Sequence, residues 1–528
     1  MAIQKIKWNE KLNSVWDKSF YFMDTYIFKT VIQQEEYRKN MIENDSSLAE
    51  NEKKFLLNEL QKSYDKFKIV ANSEEKRKCE NCMNWHRATL YCEFCIQNYL
   101  KNNFRNWTSG NSKINRLIEK CQRNTASPEF VIEWINYDQF ENIEYLTEGG
   151  CATIYTATWK AGRYHKWNPE KQILERSGDQ KVVLKRLNNS NSNNIHWFQE
   201  VTLSFTLDSS SNKLAVCRGL TKDPITHDYM LVLKHYNTDL RQFLKNNHHS
   251  LSLLKKYIII GKITNSLFKI HAKRIMHRDL HSGNILYNAS NLRWYISDLG
   301  LSGPVNKPSN SIYGNLPYVA PEVYCGKCYT EKSDIYSIGI LMWEVITGKI
   351  PYGDHDYENN SHLALAIASG YRPKIYKHIP LEYANLMKQC WDADPDNRPD
   401  TRILKKTMRS LIKSLYEEID QEQSKSKTKN KNKQVTKNNK SNKKKGNKNK
   451  GNKNKGSKIN KVQTSKLYTF NFPIKPRNAT DEEQRAYETK QFDFEISEEM
   501  EQLYLKSIET DNFNKSCADE ECDSQFQD

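Results

Sequence analysis

Apolar positions along the chain recur with different periods, and those periods divide it into segments. Up to residue 78 the sequence is polar, with Leu56, Leu60, Tyr64 and Phe67 at helical intervals. That stripe predicts an amphipathic helix packed on a neighbour. Ser47-Leu-Ala-Glu50 just before it has the form of a capping box. Near residue 140 the pattern changes. Ile143 to Leu146, Tyr229 to Leu233 and Trp294 to Ser297 are short apolar runs that predict strands. Lys181-Val-Val-Leu-Lys185 is an alternating, β-branched strand ending in lysine. The longer apolar runs Leu253 to His271 and Ile338 to Ile346 predict buried helices. Residues 421–463 are Lys, Asn, Ser and Gly with almost no apolar content, so they are expected to stay unfolded. Residues 464–528 turn acidic, with a helix predicted around Met500, Leu503, Tyr504 and Ile508 that would fold back on the basic tract or dock on a partner. Nothing in that last segment suggests catalysis.

Composition refines this picture at two points. The 528 residues are 37% hydrophobic and 11% aromatic, enough for at least one sizeable core. The net charge of +17 is local, because 16 lysines and no acidic residue lie between Lys425 and Lys461, leaving about +1 (17 − 16) for the rest. The basic tract is a solvated linker or, alternatively, a nuclear-localisation patch or a contact for RNA or an anionic membrane surface. The globular part gives no reason to infer nucleic-acid binding. No apolar run reaches the ~18 residues of a membrane span, and no myristoylation glycine or signal-peptide core follows Met1. A soluble protein of the cytoplasm, or also of the nucleus, is expected.

In that compartment twelve cysteines are expected to be free or metal-bound. Cys79-Glu-Asn-Cys82 and Cys92-Glu-Phe-Cys95 are two CxxC knuckles nine residues apart. Together they could supply four thiolates to one structural Zn²⁺, with His86, Trp85, Tyr91 and Phe94 as shielding; the alternative is four free thiols. Cys325 and Cys328 are expected to be incidental thiols.

The candidate chemistry centres on Ile275-Met-His-Arg-Asp-Leu-His-Ser-Gly-Asn-Ile-Leu286. Asp279 offers a carboxylate to accept a hydroxyl proton, and Asn284, five residues on, offers an amide oxygen to a metal ion. The stretch resembles the catalytic loop H-R-D-x-x-x-x-N of protein kinases. Thr147-Glu-Gly-Gly150-Cys-Ala152-Thr-Ile154 is similar to their glycine-rich loop, with Gly149 kept and Thr147 and Ala152 replacing the outer glycines. Lys185 ends a V-A-I-K-like strand, and Glu200 is its candidate partner. Asp298-Leu-Gly300 resembles D-F-G, and Ala320-Pro-Glu322 matches A-P-E, with Arg398 as the arginine expected to pair with Glu322. Asp334 resembles the aspartate that anchors the catalytic-loop backbone.

The resemblance implies an α+β, bilobal protein kinase fold over 140–415, with a β-rich N-lobe and a helical C-lobe. Before it lie a helical region, 1–78, and a paired-CxxC, zinc-ribbon-like segment with its connector, 79–139; after it come the linker 421–463 and the acidic tail 464–528. The paired-CxxC stretch with Trp107-Thr-Ser-Gly-Asn111 looks like the segment preceding the kinase domain in an expanded kinase set of soil fungi. The tyrosine-kinase-like group is the nearest resemblance. It implies ATP bound by Leu146, Gly149, Gly150, Ile154, Val183, Lys185, Glu200, Leu233 as gatekeeper, His235 in the hinge and Leu286. Mg²⁺ would be held by Asn284 and Asp298, with Arg278 and Asp279 in the catalytic loop. Residues 301–319 would be the activation segment, with Ser302, Ser309, Ser311 and Tyr313 either phosphosites able to pair with Arg278 or members of an unmodified polar loop. A protein substrate and signalling partners for the N-terminal segment and tails follow. His281 stands where most serine/threonine kinases have lysine, leaving Ser/Thr against Tyr specificity open with Ser/Thr favoured. The altered glycine loop keeps a pseudokinase scaffold as the alternative.

Overall fold

The computed structural model describes residues 6–149, 152–191, 196–207, 214–300, 302–304, 312–353, 360–434, 465–468, 472 and 474–489. Three helices begin the chain: α1 (Glu10–Tyr21), α2 (Val31–Glu43) and α3 (Glu50–Val70). They enclose a small core in which Leu56, Leu60 and Tyr64 of the predicted stripe are buried with Leu12, Trp16 and Ile42, while Phe67 is exposed. The capping box lies two residues later than expected. Ala49 is the N-cap and its N–H donates to Glu52 at 2.9 Å, because Ser47 turns its hydroxyl to Asp45 and Leu48 is buried before the helix starts.

A hairpin, β1 (Arg77–Lys78) and β2 (Trp85–His86), and helix α4 (Glu93–Asn102) carry the four cysteines. Next come α5 (Ser112–Arg123) and β3 (Glu133–Trp134). The N-lobe sheet adds β4 (Phe140–Glu148) and β5 (Ala152–Trp159), an inserted hairpin β6 (Tyr164–Asn168) and β7 (Ile173–Arg176), β8 (Gln180–Leu187), helix α6 (His196–Thr206), β9 (Cys217–Lys222) and β10 (Tyr229–Lys234). The six-stranded order is β3-β9-β10-β8-β5-β4. Alternation decides its faces. Val182, Leu184, Ala157, Met230 and Val232 form one dry face, and Ile154, Val183, Lys185 and Leu233 point the other way, toward the second lobe.

The C-lobe runs through β11 (Thr238–Asp239), α7 (Leu240–Asn247), α8 (Leu253–His271), β12 (Ile275–Met276), β13 (Ile285–Asn288), β14 (Arg293–Ile296), β15 (Gly303–Pro304), β16 (Ile312–Gly314), α9 (Pro321–Tyr324), α10 (Glu331–Thr347), α11 (Asn360–Ala368), α12 (Leu381–Cys390) and α13 (Thr401–Gln434). The predicted buried helices are α8 and α10, at the centre of the main core. Helix α13 packs on α8 through Leu404, Met408, Ile412 and Tyr416, one residue per turn. It continues to Gln434, past the expected start of the unfolded linker, where Gln and Lys have good helix propensity. The remainder of the linker and the helix expected near Met500 lie outside the described residues. The acidic tail contributes instead β17 (Lys466–Tyr468) and α14 (Asp481–Glu488), both seated on the C-lobe. Among the described residues no helix is long and apolar enough to cross a membrane.

Candidate functional site

Lys185 comes from the centre of β8, and Glu200 from the second turn of α6. Lys185 Nζ lies 2.7 Å from Glu200 Oε1 and 2.7 Å from Asp298 Oδ1. Burial opposes the ammonium charge, but the Asp298 and Glu200 carboxylates outweigh it and keep Lys185 protonated far above the usual lysine range. Asp298 is in turn held at about 2 by Lys185, against the cost of partial desolvation. Its Oδ1 also accepts from the Gly300 N–H at 3.2 Å.

The catalytic-loop stretch is held from below. Asp334, buried at the start of α10, accepts backbone N–H bonds from His277 and Arg278 at 2.8 and 2.9 Å and a third from the His271 ring at 2.8 Å. Burial alone would raise its pKa, and these donors, His271 first, bring it below the carboxylate norm. The His277 ring bonds Ser297 O at 2.9 Å, so it ties the loop to the strand leading into Asp298. Arg278 and Asp298 take left-handed backbone angles, φ 69° and 59°, a strain that the surrounding bonds hold in place. Asn284 Nδ2 donates to Asp279 O at 2.9 Å and to Asp279 Oδ2 at 3.3 Å, which turns the amide oxygen away from Asp279. An amide oxygen and a carboxylate are the donor set a hard cation such as Mg²⁺ takes.

The other expected nucleotide contacts are distributed over the cleft face of the sheet and its edges. Ile154 pairs with Lys185, and Leu233 pairs with Val183, so all four share one face. Leu286 lies on β13 and His235 just past β10, both half-buried. Leu146, near the end of strand β4 before the loop, is 58% exposed. Gly149 N–H donates to Ala152 O at 2.9 Å, closing the loop base although Ala152 replaces a glycine. Gly150 lies outside the described residues. Leu233 packs partly against the cluster that backs α6.

Of the expected phosphosites, Ser302 is buried, with its hydroxyl toward His277 O at 3.4 Å, and Tyr313 lies in β16; Ser309 and Ser311 are outside the described residues. Arg398 meets Glu322 in a fully buried bidentate pair at 2.8 and 2.7 Å, and Ser333 adds a third bond to Glu322 at 2.9 Å. This pair fixes the end of the activation segment.

Residues 140–408, half of the chain, match the protein tyrosine and serine/threonine kinase family. The chain belongs to the protein kinase family. Among its relatives in Dictyostelium discoideum, the dual specificity protein kinase zakA is 31% identical over 175 residues, 30% of this chain and 22% of the relative. The dual specificity protein kinase pyk3 is 28% identical over 307 residues, 56% of this chain and 21% of the relative. The RGS domain-containing serine/threonine-protein kinase A is 31% identical over 165 residues, 31% and 14% of the two chains. The kinase thus spans less than a quarter of the length of each.

The four cysteines of the N-terminal segment also converge. Their sulfurs all lie within 4.8 Å of one another, with Cys79–Cys95 and Cys82–Cys92 at 3.6 Å. A tetrahedral zinc with bonds of ~2.3 Å sets sulfurs ~3.8 Å apart, so the cluster fits that ion and is too open for disulfides. The shielding differs from expectation. Tyr91 and Phe94 pack against the cluster, but Trp85 is 59% exposed on its hairpin, and His86 bonds Ala88 O at 2.9 Å. Cys92 and Cys95 share a core with Trp167 and Leu174 of the β6–β7 hairpin, so the segment is joined to the N-lobe.

Two residues at the site escaped the sequence reading. His281, which the sequence shows only as a departure from lysine, has its Nε2 3.6 Å from Asp279 Oδ2. Its Nδ1 accepts from the Gly283 N–H at 3.1 Å, which leaves Nε2 as the donor in the neutral ring. Ser465, from the tail segment whose sequence suggests no catalysis, places its hydroxyl 2.9 Å from Asp279 Oδ1 and 3.1 Å from His281 Nε2. The available signal was Tyr468, Phe470 and Phe472 at every second position, a strand pattern just after the basic tract.

Proposed function

We propose that this kinase is catalytically active and transfers the ATP γ-phosphate to protein serine or threonine hydroxyls. The observation that carries the reading is Lys185 bridging Glu200 and Asp298 at 2.7 Å each, in the same cleft as Asp279 and Asn284. Lys185, fixed by Glu200, presents its ammonium to the α- and β-phosphates. Asn284 and Asp298 would hold Mg²⁺, which when bound offsets charge on the transferring phosphate. Asp279, kept ionised by its donors, orients the acceptor hydroxyl and takes its proton. The residues therefore act by positioning and electrostatics. A pseudokinase scaffold is favoured by one observation, the replacement of two loop glycines by Thr147 and Ala152. The test is transfer from Mg-ATP to casein by the full chain, beside Lys185→Met, with ATP affinity in parallel. Transfer reduced by about 10²-fold or more in the variant supports the reading. ATP binding without transfer points to a scaffold.

We infer also that Cys79, Cys82, Cys92 and Cys95 hold a structural zinc, as four thiolates leave no open coordination position. Purified protein is expected to contain zinc. Cys79→Ser and Cys95→Ser should each lose the metal and lower the melting temperature by several degrees. Zinc-free protein with an unchanged melting curve in both variants would refute this.

A further inference from the structure

The described tail residues between Ser465 and Glu488 occupy the face of the C-lobe that leads into the catalytic loop. Strand β17 pairs antiparallel with β16 of the activation segment, Ile312 with Tyr468, Tyr313 with Leu467 and Gly314 with Lys466. The next residue along this ladder is Ser465, opposite Asn315, whose own N–H bonds Asp279 Oδ1 at 3.2 Å. The segment is anchored well beyond that strand. Tyr468 and Phe472 are buried in the C-lobe core, and the Phe472 N–H donates to Tyr324 O at 3.0 Å. Asn478 accepts from the Ala393 N–H at 2.9 Å, and Gln484 brackets the Arg372 backbone at 2.6 and 3.2 Å. Tyr487 lies against Tyr371 with ring centroids 4.7 Å apart, and Lys374 pairs with Glu488 at 2.7 Å. Gly370 fits this docking closely, since a Cβ there would strike the backbone at Asn478 and Ala479.

Resting on the kinase reading above, we propose that Ser465 is an intramolecular acceptor, delivered to the catalytic base by this docked segment. The hydroxyl donates to Asp279 Oδ1, and the His281 Nε2–H donates to Ser465 Oγ itself, which leaves the second lone pair of Oγ pointing away from both. In the transfer, Ser465 Oγ bonds the γ-phosphorus, the bond from that phosphorus to the ADP oxygen breaks, ADP departs with the electron pair, and the hydroxyl proton passes to Asp279. The β16–β17 pairing fixes the backbone at 465 so that a side chain with one carbon before the oxygen reaches Asp279. A tyrosine in that register would overshoot by several ångströms, so the same geometry selects serine and threonine. Thirty residues separate Gln434 from Ser465. They span up to ~100 Å when extended and keep the segment at roughly millimolar effective concentration, so it competes with acceptors from outside. The product would place a charge of about −1.5 to −2 next to Asp279, and that repulsion drives the segment out of the cleft.

The test uses the full chain with Mg-ATP, phosphosite mapping by mass spectrometry, and casein as an added acceptor. Phosphate is expected on Ser465 with a rate constant that does not change with protein concentration. Ser465→Thr should keep it and Ser465→Tyr should lose it. Gln484→Ala with Tyr487→Glu, remote from the cleft, should lower Ser465 labelling and raise the initial rate on casein about tenfold. Casein labelling with Ser465 unmodified overturns the proposal and leaves the kinase reading intact. A rate constant rising with protein concentration overturns delivery in cis. Absence of transfer to either acceptor overturns both readings.

Discussion

Asp279→Asn is expected to lower the rate of phosphate transfer by about 10³-fold, the loss of a positioned base, with the fold retained. The side chain is buried and nearly isosteric with its replacement, so the change is chemical. Oδ1 now accepts from Ser465 and from the Asn315 N–H, and Oδ2 accepts from Asn284 Nδ2. Whichever way an amide is turned, one of those donors meets an NH₂ group, which costs about 1 kcal/mol in stability. A melting temperature lower by a few degrees, with transfer nearly abolished, is the expected pair of results. A variant retaining a tenth of the activity would remove Asp279 from the chemical step.

The same side chain sets an expectation for pH. Burial raises the Asp279 pKa, but His281 and the Ser465 hydroxyl more than offset it, so the carboxyl titrates below its ordinary value of ~3.9. A depressed folded-state value means that the stability it contributes is present above the unfolded value and lost as pH falls through the folded one. The base is thus ionised throughout pH 5–9, and a rate profile falling on the acid side above pH 5 has another origin.

Legibility in the sequence followed how local each signal was. Lys185, Asp279, Asn284 and Asp298 each sit in or beside a short strand or loop with a strong pattern of its own, Glu200 sits in the helix that follows the Lys185 strand, and the structure places them in one cleft. The Glu322–Arg398 pair was legible for the same reason, although 76 residues separate its members. The tail was not. A polar, lysine-rich stretch dominates composition around it, and the three alternating aromatics after Ser465 say that a strand exists without saying which edge it joins. Helix α5 shows the same limit: Ile114, Leu117 and Ile118 define an apolar face, but periodicity does not name what that face covers.

What it covers makes Ile118→Asp the second large expected effect. Ile114 and Ile118 are fully buried in one cluster with Val201 and Phe205 of α6, and Trp107 and Trp197 pack at its margin. Val201 follows Glu200 directly, so the face of α6 opposite the Lys185 pair rests on the segment before the kinase domain. A carboxylate at 118 has no partner in this cluster and costs several kcal/mol unless it protonates or the helices part. Parting them frees α6, and Glu200 then leaves Lys185. Transfer per folded molecule is expected to fall about 10²-fold, since a small misplacement of a positioning residue is costly. Ile118→Val keeps the contact and should cost only about 1 kcal/mol of stability with turnover unchanged. Thermal melts read the first effect and single-turnover transfer the second. Were Ile118→Asp to lower the melting temperature while folded enzyme turned over normally, α5 would be packing alone; a joint loss makes the N-terminal segment part of what holds the kinase in its active arrangement.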